Sequence, residues 1–95
     1  MKSFNWDNRK NDWLKSHRGV GFEQVILLIE AGDVLDIIEP QNKKKYPNQR
    51  IFVVNINNYA YRVPFVENEK EIFLKTIFPD RRSTKRYLKG DETYA

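Results

Sequence analysis

The sequence predicts a single α+β domain in which two N-terminal helices precede an antiparallel sheet of about four strands and a C-terminal helix. Three observations support this prediction. Apolar residues recur at helical spacing in the first third of the chain, they alternate along the segments around Asn57-Asn58, and Pro79-Asp80 separates the last apolar stretch from a basic one. A length of 95 residues corresponds to one domain, so residues 1–95 form one unit, with a frayed tail expected over residues 91–95.

Two short helices are predicted at the start of the chain. Asp7 has the side chain of an N-cap, and the helix that follows it extends to about His17. The preceding Phe4-Asn5-Trp6 is compatible with a short edge strand or with a hydrophobic lead-in. Gly19 suits the left-handed residue that ends the first helix, and a second helix extends from about Phe22 to Ala31. Helical spacing places on one face of the first helix the residues Lys10, Trp13, Leu14 and His17.

Three further segments have the pattern of strands, and the second and third form a hairpin. Val34 to Glu39 is the first of them. Arg50 to Asn55 and Tyr59 to Val66 flank Asn57-Asn58, a pair that tolerates the positive φ of a two-residue turn. This turn determines the register, and it pairs Ile56 with Tyr59, Val54 with Tyr61, Phe52 with Val63 and Arg50 with Phe65.

The last predicted strand extends from Glu71 to Phe78. The hairpin register, continued through the polar turn before it, places on the core face Ile72, Leu74, Thr76 and Phe78. On the opposite face it places Lys75 directly across from Arg62, with Val53 on the other side. Like charges in this position are unfavourable, so either an anion lies between them or both side chains extend into water. The helices are expected on the core face, which leaves the face with Arg62 and Lys75 partly open.

The C-terminal stretch combines a helix start with a high density of positive charge. Pro79-Asp80 ends the strand, and Asp80 is a suitable N-cap for a helix from about Arg81 to Leu88. Five of the nine residues from Arg81 to Lys89 are basic. Helical spacing arranges them in two ridges, one with Arg81, Lys85 and Lys89 and the next with Arg82 and Arg86. Guanidinium groups bind phosphate bidentately and a helix N-terminus favours an anion, so this segment is predicted to bind a polyanion.

The composition narrows the possible chemistry. The formal charge of +4 is compatible with nucleic acid binding. The absence of cysteine excludes disulfides and thiolate catalysis, and the presence of one histidine, His17, excludes a multi-histidine zinc site. The start of the chain is too polar for a signal peptide, and the longest apolar run is Val25 to Ile29. A cytoplasmic protein without a membrane partner is therefore expected.

Charge is also unevenly distributed along the chain. Residues 23–39 carry five acidic and no basic side chains, whereas residues 40–66 carry five basic and no acidic ones. Such segregation produces one basic and one acidic surface if the fold keeps these blocks apart.

The order of short motifs resembles that of the BrnT-type toxins, a branch of the RelE/ParE-like bacterial toxins. The similarity covers about residues 4–88. The family opening, roughly W-D-x-x-K-N with a later H-G-[IV]-x-F-E, is followed by an R-[YF] entry to the central hairpin and by a strand with a basic helix. The matching residues are Trp6-Asp7, Lys10-Asn11, Gly19-Val20, Phe22-Glu23, Arg50-Ile51-Phe52 and Ile77 to Tyr87. Two positions differ, because Arg18 occupies the place of the family's histidine, with His17 one place earlier, and Pro79-Asp80 replaces Ser-Ala.

The resemblance implies a RelE/BrnT-like fold and a cytoplasmic endoribonuclease, a hydrolase that inhibits translation. It further implies a type II toxin–antitoxin pair, in which a cognate antitoxin encoded beside the toxin neutralises it. In such pairs operon DNA is bound by the complex. RNA and a cognate antitoxin are therefore the expected partners.

Candidate site residues follow from what RNA cleavage requires. Attack by the 2′-hydroxyl needs a proton acceptor, cations that stabilise the developing charge, and assistance for the leaving 5′-oxygen. Arginine and lysine supply the charge without a metal, so neither a metal nor another cofactor is expected. Histidine is the side chain that titrates near neutrality, and His17 is the only one present. The predicted catalytic residues are Lys10, His17, Lys75, Arg81 and Arg82, and the predicted RNA-binding residues are Arg18, Arg50, Arg62, Lys85 and Arg86.

A second class of function fits the same residues. A small basic domain with a toxin-like fold can bind RNA, or an acidic protein partner, without cutting anything. Tyr46 and Tyr61 are candidates to stack on a base, although Tyr61 also suits the core. The run Lys43-Lys44-Lys45 is either solvated charge in a loop or a contact to the RNA backbone.

Overall fold

A computed structural model describes residues 2–89 of the chain, so the predicted tail over 91–95 lies outside the described residues. The architecture is α+β, as predicted, with helices and a mixed sheet. The elements in chain order are β1 (Ser3–Trp6), α1 (Asn8–Arg18), α2 (Phe22–Glu30), β2 (Val34–Ile38), β3 (Gln49–Ile56), β4 (Tyr59–Glu67), β5 (Glu71–Leu74), β6 (Phe78–Pro79) and α3 (Arg81–Ser83). α3 continues without a break as a π-helical segment over Thr84–Lys89, and the two together are called the C-terminal helix.

The sheet is larger than the antiparallel four-stranded sheet that was predicted. Its strand order is β1-β5-β4-β3-β2, with β6 also paired to β4. β1 pairs with β5 in parallel, and the other strand pairs are antiparallel. Parallel pairing is possible because two helices and three strands separate β1 from β5 along the chain, a long crossover of the kind that parallel strands require. Phe4 and Trp6 of β1 pack against the hydrophobic core, which explains why this short strand forms.

Both N-terminal helices form where the sequence predicts them. The Asp7 carboxylate caps α1 by accepting hydrogen bonds from the backbone N–H groups of Arg9 and Lys10. Gly19 follows α1 with a φ of 71°, in the left-handed region that glycine adopts without a Cβ clash. The helices cover one face of the sheet, here called the first face. The buried core between them contains Leu14, Phe22 and Val25 from the helices and Phe52, Val54, Ile56, Val63, Phe65, Leu74 and Ile77 from the strands and the segment after β5.

The central hairpin has the predicted register. Asn57 and Asn58 have φ values of 54° and 64°, which correspond to the hairpin turn whose twist matches that of antiparallel strands. The four predicted pairs are all present, namely Ile56 with Tyr59, Val54 with Tyr61, Phe52 with Val63 and Arg50 with Phe65. The alternate residues of these strands form the opposite side of the sheet, here called the second face, with Ile51, Val53, Ala60, Arg62 and Pro64.

The prediction for the last strand is wrong in its register. β5 pairs with β4 two residues away from the predicted alignment. The backbone N–H of Lys75 donates to the Pro64 carbonyl at 2.8 Å, so Lys75 lies across from Pro64 and not across from Arg62. Because proline has no N–H to return this hydrogen bond, the ladder ends there. Pairing resumes one residue out of step, with Phe78 opposite Arg62 in β6.

The shift by one residue between β5 and β6 reverses which side chains point to each face of the sheet after Lys75. Ile77 is fully buried in the core, whereas the predicted alternation placed its neighbours Thr76 and Phe78 on the core face. Phe78 was predicted on the core face, but its pairing with Arg62 places it on the second face. The predicted continuous strand from Glu71 to Phe78 is therefore two strands separated by an irregular segment.

The C-terminal helix lies against the second face around Arg62, which was expected to be open, whereas Lys75 on the same face remains exposed. Asp80 caps this helix as predicted. Thr84 accepts a hydrogen bond from the Ala60 N–H at 2.8 Å, and both Ser83 and Thr84 are buried. The carboxylate of Asp80 also pairs with Arg62. The docked helix thus supplies the half-buried Arg62 guanidinium with a charged partner, which it would lack on an open sheet.

Candidate phosphate-binding site

A small cavity lies between the second face and the C-terminal helix. Its volume is about 220 Å³, and it is lined by Ile38, Arg62, Arg82, Ser83, Arg86 and Tyr87. We call it the arginine pocket. Three guanidinium groups belong to its wall, whereas no carboxylate does. Such a wall suits an anion, since guanidinium groups donate hydrogen bonds in pairs to phosphate oxygens.

Arg62 is held in place from one side of the arginine pocket. Its Nε lies 3.0 Å from a carboxylate oxygen of Asp80 and 3.4 Å from the hydroxyl of Ser83. Burial disfavours the ionised form of Asp80, but hydrogen bonds from Ser83 and the charge of Arg62 outweigh it and lower the pKa of this carboxyl. Asp80 therefore occupies the helix N-terminus, where the sequence predicted a phosphate. Because this carboxylate already interacts with the positive end of the helix dipole, binding of an anion in the pocket depends on the arginine side chains.

Tyr87 forms another part of the wall. Its hydroxyl donates a hydrogen bond to the Asp36 carboxylate of β2. This bond raises the pKa of the Tyr87 hydroxyl and lowers that of the Asp36 carboxyl. Asp36, Val53 and Arg62 follow one another across three strands, so the tyrosine–aspartate pair and Arg62 belong to one row of the sheet.

Arg82 and Arg86 provide the solvent-exposed side of the pocket. They are four residues apart on the C-terminal helix and therefore lie on one ridge. The Arg86 guanidinium lies 5.7 Å from the centre of the Tyr87 ring. Within residues 2–89 neither arginine forms an ion pair, so their charge is available to a ligand.

Lys75 does not line the arginine pocket but a neighbouring cavity. That cavity, here called the lysine pocket, has a volume of about 230 Å³ and is lined by Lys45, Tyr46, Pro47, Asn48, Gln49, Val66 and Lys75. It too has cations in its wall and no carboxylate.

Three other predicted residues surround Trp13 on α1. The Lys10 ammonium and the Arg18 guanidinium lie 4.7 and 5.1 Å from Trp13 rings, and the His17 ring stacks on the same side chain at 4.4 Å. The His17 Nδ1 also contacts the Trp13 carbonyl at 2.9 Å, and Arg18 donates to the carbonyl of Ile77. α1 belongs to the first face, and none of the three lines the arginine pocket. The structure therefore does not unite Lys10 and His17 with the arginines.

The remaining predicted residues divide into paired and exposed ones. Arg50 forms an ion pair with Glu67, which also binds Lys2. The hydrogen bonds from Lys2 and Arg50 lower the pKa of the Glu67 carboxyl. Arg81 and Lys85 are exposed on the C-terminal helix and line neither of the two basic pockets.

Sequence reasoning missed the tyrosine–aspartate pair in the wall of the arginine pocket. The sequence contains no signal that connects Tyr87 to Asp36, which is 51 residues away. A possible signal is that a polar Asp36 interrupts an otherwise apolar strand. Such a residue needs a partner when a second layer covers it.

Two kinds of structural feature are absent from residues 2–89. In this part of the chain no group of three or more histidine, aspartate or glutamate side chains converges to hold a metal ion. In the same residues there is no helix with the length and apolar character needed to cross a membrane.

Comparison with known proteins adds no relative. No protein-family model, no curated protein and no solved structure matches this chain.

Proposed function

We propose that this protein binds RNA through the arginine pocket, with a backbone phosphate placed among the guanidinium groups. One observation carries the proposal, namely that Arg62, Arg82 and Arg86 line a single cavity whose wall contains no carboxylate. Arginine recognises phosphate through its planar, bidentate donor geometry. Since Asp80 offsets the charge of Arg62, most of the attraction comes from Arg82 and Arg86.

RNA binding is tested by removing these two charges. Fluorescence anisotropy with a labelled single-stranded RNA compares the wild type with the Arg82→Ala/Arg86→Ala variant. We expect the dissociation constant to rise by about tenfold or more, since hydrogen bonds to a charged partner contribute about 1.5–3 kcal/mol each. The matched control is Arg9→Ala/Lys70→Ala, which removes the same charge at two exposed positions outside both basic pockets. Equal affinities of the two double variants would refute the proposal.

We also propose that the bound RNA is cleaved, as the resemblance to toxin ribonucleases implies. The observation that favours cleavage is the Tyr87–Asp36 pair beside the arginines. In this scheme the 2′-oxygen attacks phosphorus, Tyr87 accepts the 2′ proton while its own proton passes to Asp36, and the P–O5′ bond breaks. The 5′-oxygen takes a proton from water, and the hydroxide that remains takes the proton from Asp36, which restores water and the carboxylate. The arginines stabilise the added charge on phosphorus.

Cleavage is tested with the Tyr87→Phe variant, which retains the ring and removes the hydroxyl. We expect the rate of RNA cleavage to fall by about 10²–10⁴-fold, the contribution typical of a positioned proton-transfer group, while RNA affinity changes little. Melting temperatures of both proteins control for loss of the bond to Asp36. If the wild type binds RNA but releases no cleaved product, the non-catalytic alternative holds.

The toxin proposal extends to a partner protein. Expression of an active ribonuclease should arrest growth, and co-expression of a cognate antitoxin encoded next to it should restore growth. The Tyr87→Phe variant should be harmless on its own. Arrest that persists in this variant would mean that toxicity does not come from RNA cleavage at the arginine pocket.

A further inference from the structure

The lysine pocket and the arginine pocket lie on the same face of the sheet. Gln49 and Val66, which line the lysine pocket, are directly paired. Val53 and Arg62 form another pair, four residues away on each strand. Because side chains alternate between the two faces, all four residues belong to the second face. At about 3.4 Å per residue, the two pairs are about 14 Å apart. This separation is too large for one phosphate and fits a strand of several nucleotides.

Lys75 occupies the space between these two pairs. Its hydrogen bond to the Pro64 carbonyl places it in the row next to that of Arg62, about 7 Å along the strand. Its side chain is exposed and lines the lysine pocket. Positive groups therefore follow one another along the second face, in the order Lys45, Lys75, Arg62 and then Arg82 with Arg86.

A third cavity differs from these two. It is lined by Glu39, Lys43, Arg50 and Glu67 together with neighbouring loop residues. Its cations already form ion pairs, Lys43 with Glu39 and Arg50 with Glu67. Within residues 2–89, Lys45 and Lys75 form no such pair. The lysine pocket thus offers charge that no carboxylate of the described residues neutralises through an ion pair.

Tyr46 adds an exposed aromatic ring to the lysine pocket. This residue is 39% exposed, and the Lys45 ammonium lies 5.4 Å from the ring centre. The loop around it is held by its own hydrogen bonds, since Asn42 accepts from the backbone N–H groups of Lys45 and Tyr46, and the Gln49 N–H donates to the Tyr46 carbonyl. The backbone that carries the ring is therefore held before a ligand arrives, which reduces the entropy lost on binding.

We infer that the lysine pocket is a second nucleotide subsite, so that the protein binds single-stranded RNA across several nucleotides. One phosphate lies in the arginine pocket, the backbone passes Lys75, and an unpaired base stacks on Tyr46. Stacking of this kind requires a base that is not already paired in a duplex, which is why the ligand is single-stranded. An acidic peptide matches the charges but gives the Tyr46 ring no base to stack on. The inference depends on the proposed RNA binding at the arginine pocket.

The test compares RNA length and strandedness in four variants. The ligands are a dinucleotide, a single strand of about eight nucleotides, and a duplex of the same length. The variants are Lys45→Ala/Lys75→Ala, Tyr46→Ala, Tyr46→Phe and the charge control Arg9→Ala/Lys70→Ala. We expect the lysine double variant and Tyr46→Ala each to weaken binding of the longer single strand by about tenfold. Binding of the dinucleotide should not change, Tyr46→Phe should bind as the wild type, and Tyr46→Ala should not affect duplex binding.

Other outcomes separate this inference from the proposed function. If the lysine double variant and Tyr46→Ala bind the longer strand as the wild type does, while Arg82→Ala/Arg86→Ala loses binding, the second subsite is refuted and the arginine pocket stands. If Tyr46→Ala has no effect and polyglutamate competes as well as RNA, the surface is a protein-binding one. If Arg82→Ala/Arg86→Ala binds normally, the proposed function fails, and the inference fails with it.

Discussion

Asn11 shows how one residue connects two elements of the fold. Its side chain is buried, and its amide N–H group donates to both carboxylate oxygens of Glu23 at 3.0 Å. Its carbonyl oxygen accepts the backbone N–H of Phe22 at 2.8 Å. The N-cap of α2 is Gly21, which has no side chain to accept this bond. A Cβ at Gly21 would lie 2.6 Å from the Lys15 side chain, 2.8 Å from that of Glu23 and 3.1 Å from the Asn11 carbonyl oxygen, so glycine leaves room for these three side chains.

Replacing Asn11 by alanine should therefore destabilise the protein. The substitution leaves the Phe22 N–H buried without a partner, which costs about 1–3 kcal/mol. Urea unfolding of Asn11→Ala should show that decrease in the free energy of unfolding, while the adjacent exposed Asp12→Ala should change it by less than about 0.5 kcal/mol. Equal stability of the two variants would mean that α2 begins without help from α1.

At the scale of whole elements, the sequence predicts those whose signals are local. The turn residues Asn57 and Asn58 determine the hairpin register, and Asp7 with Gly19 marks the ends of α1. The prediction of the last strand fails because its register depends on Pro64 of the neighbouring strand. This proline is distant in sequence and interrupts the hydrogen-bond ladder. The sequence predicts Arg62 and Arg82 in one site, and both line one pocket. It also predicts Lys75 directly across from Arg62, and that placement is wrong because it depends on the incorrect register.

The C-terminal helix depends on an ionised Asp80, which makes its docking sensitive to acid. The pKa of this carboxyl is lowered in the folded protein. The folded state thus favours the ionised form, so the resulting stability is fully present above the ordinary pKa of 3.8 and is lost as the pH falls below that value through the lower pKa of the folded protein. In Asp80→Asn the capping geometry remains while the charge is absent. The difference in unfolding free energy between the wild type and Asp80→Asn should therefore be larger at neutral pH than in acid.

The control for this prediction is Asp12→Asn, at an exposed carboxylate that forms no ion pair within residues 2–89. Its difference from the wild type should stay small at both pH values. A constant stability difference for Asp80→Asn across this range would show that the ionised carboxylate does not hold the helix.

Across the whole molecule, the fold uses its acidic and basic residues differently. Much of the acidic block over residues 23–39 is engaged internally, with Glu23 bound to Asn11 and Lys15, Asp36 to Tyr87, and Glu39 to Lys43. The segregated charge in the sequence predicts a basic surface but not its location. The structure gathers four of the cations that form no ion pair within residues 2–89 into the two basic pockets, because the strand alternation and the docked helix bring three separate segments to one face.

The dependence of RNA binding on salt measures how many of these cations act together. Each phosphate neutralised on a single strand lowers the logarithm of the affinity by about 0.7 per tenfold rise in salt. Four cations in the two pockets have no ion pair within residues 2–89, namely Lys45, Lys75, Arg82 and Arg86. Titrations with the longer single strand over a range of KCl concentrations should give a slope of about −3 for the wild type and about −1.4 for Lys45→Ala/Lys75→Ala. The charge control Arg9→Ala/Lys70→Ala should keep the wild-type slope. If the slope becomes equally shallow in both double variants, RNA is attracted diffusely by the net charge and follows no defined path along the second face.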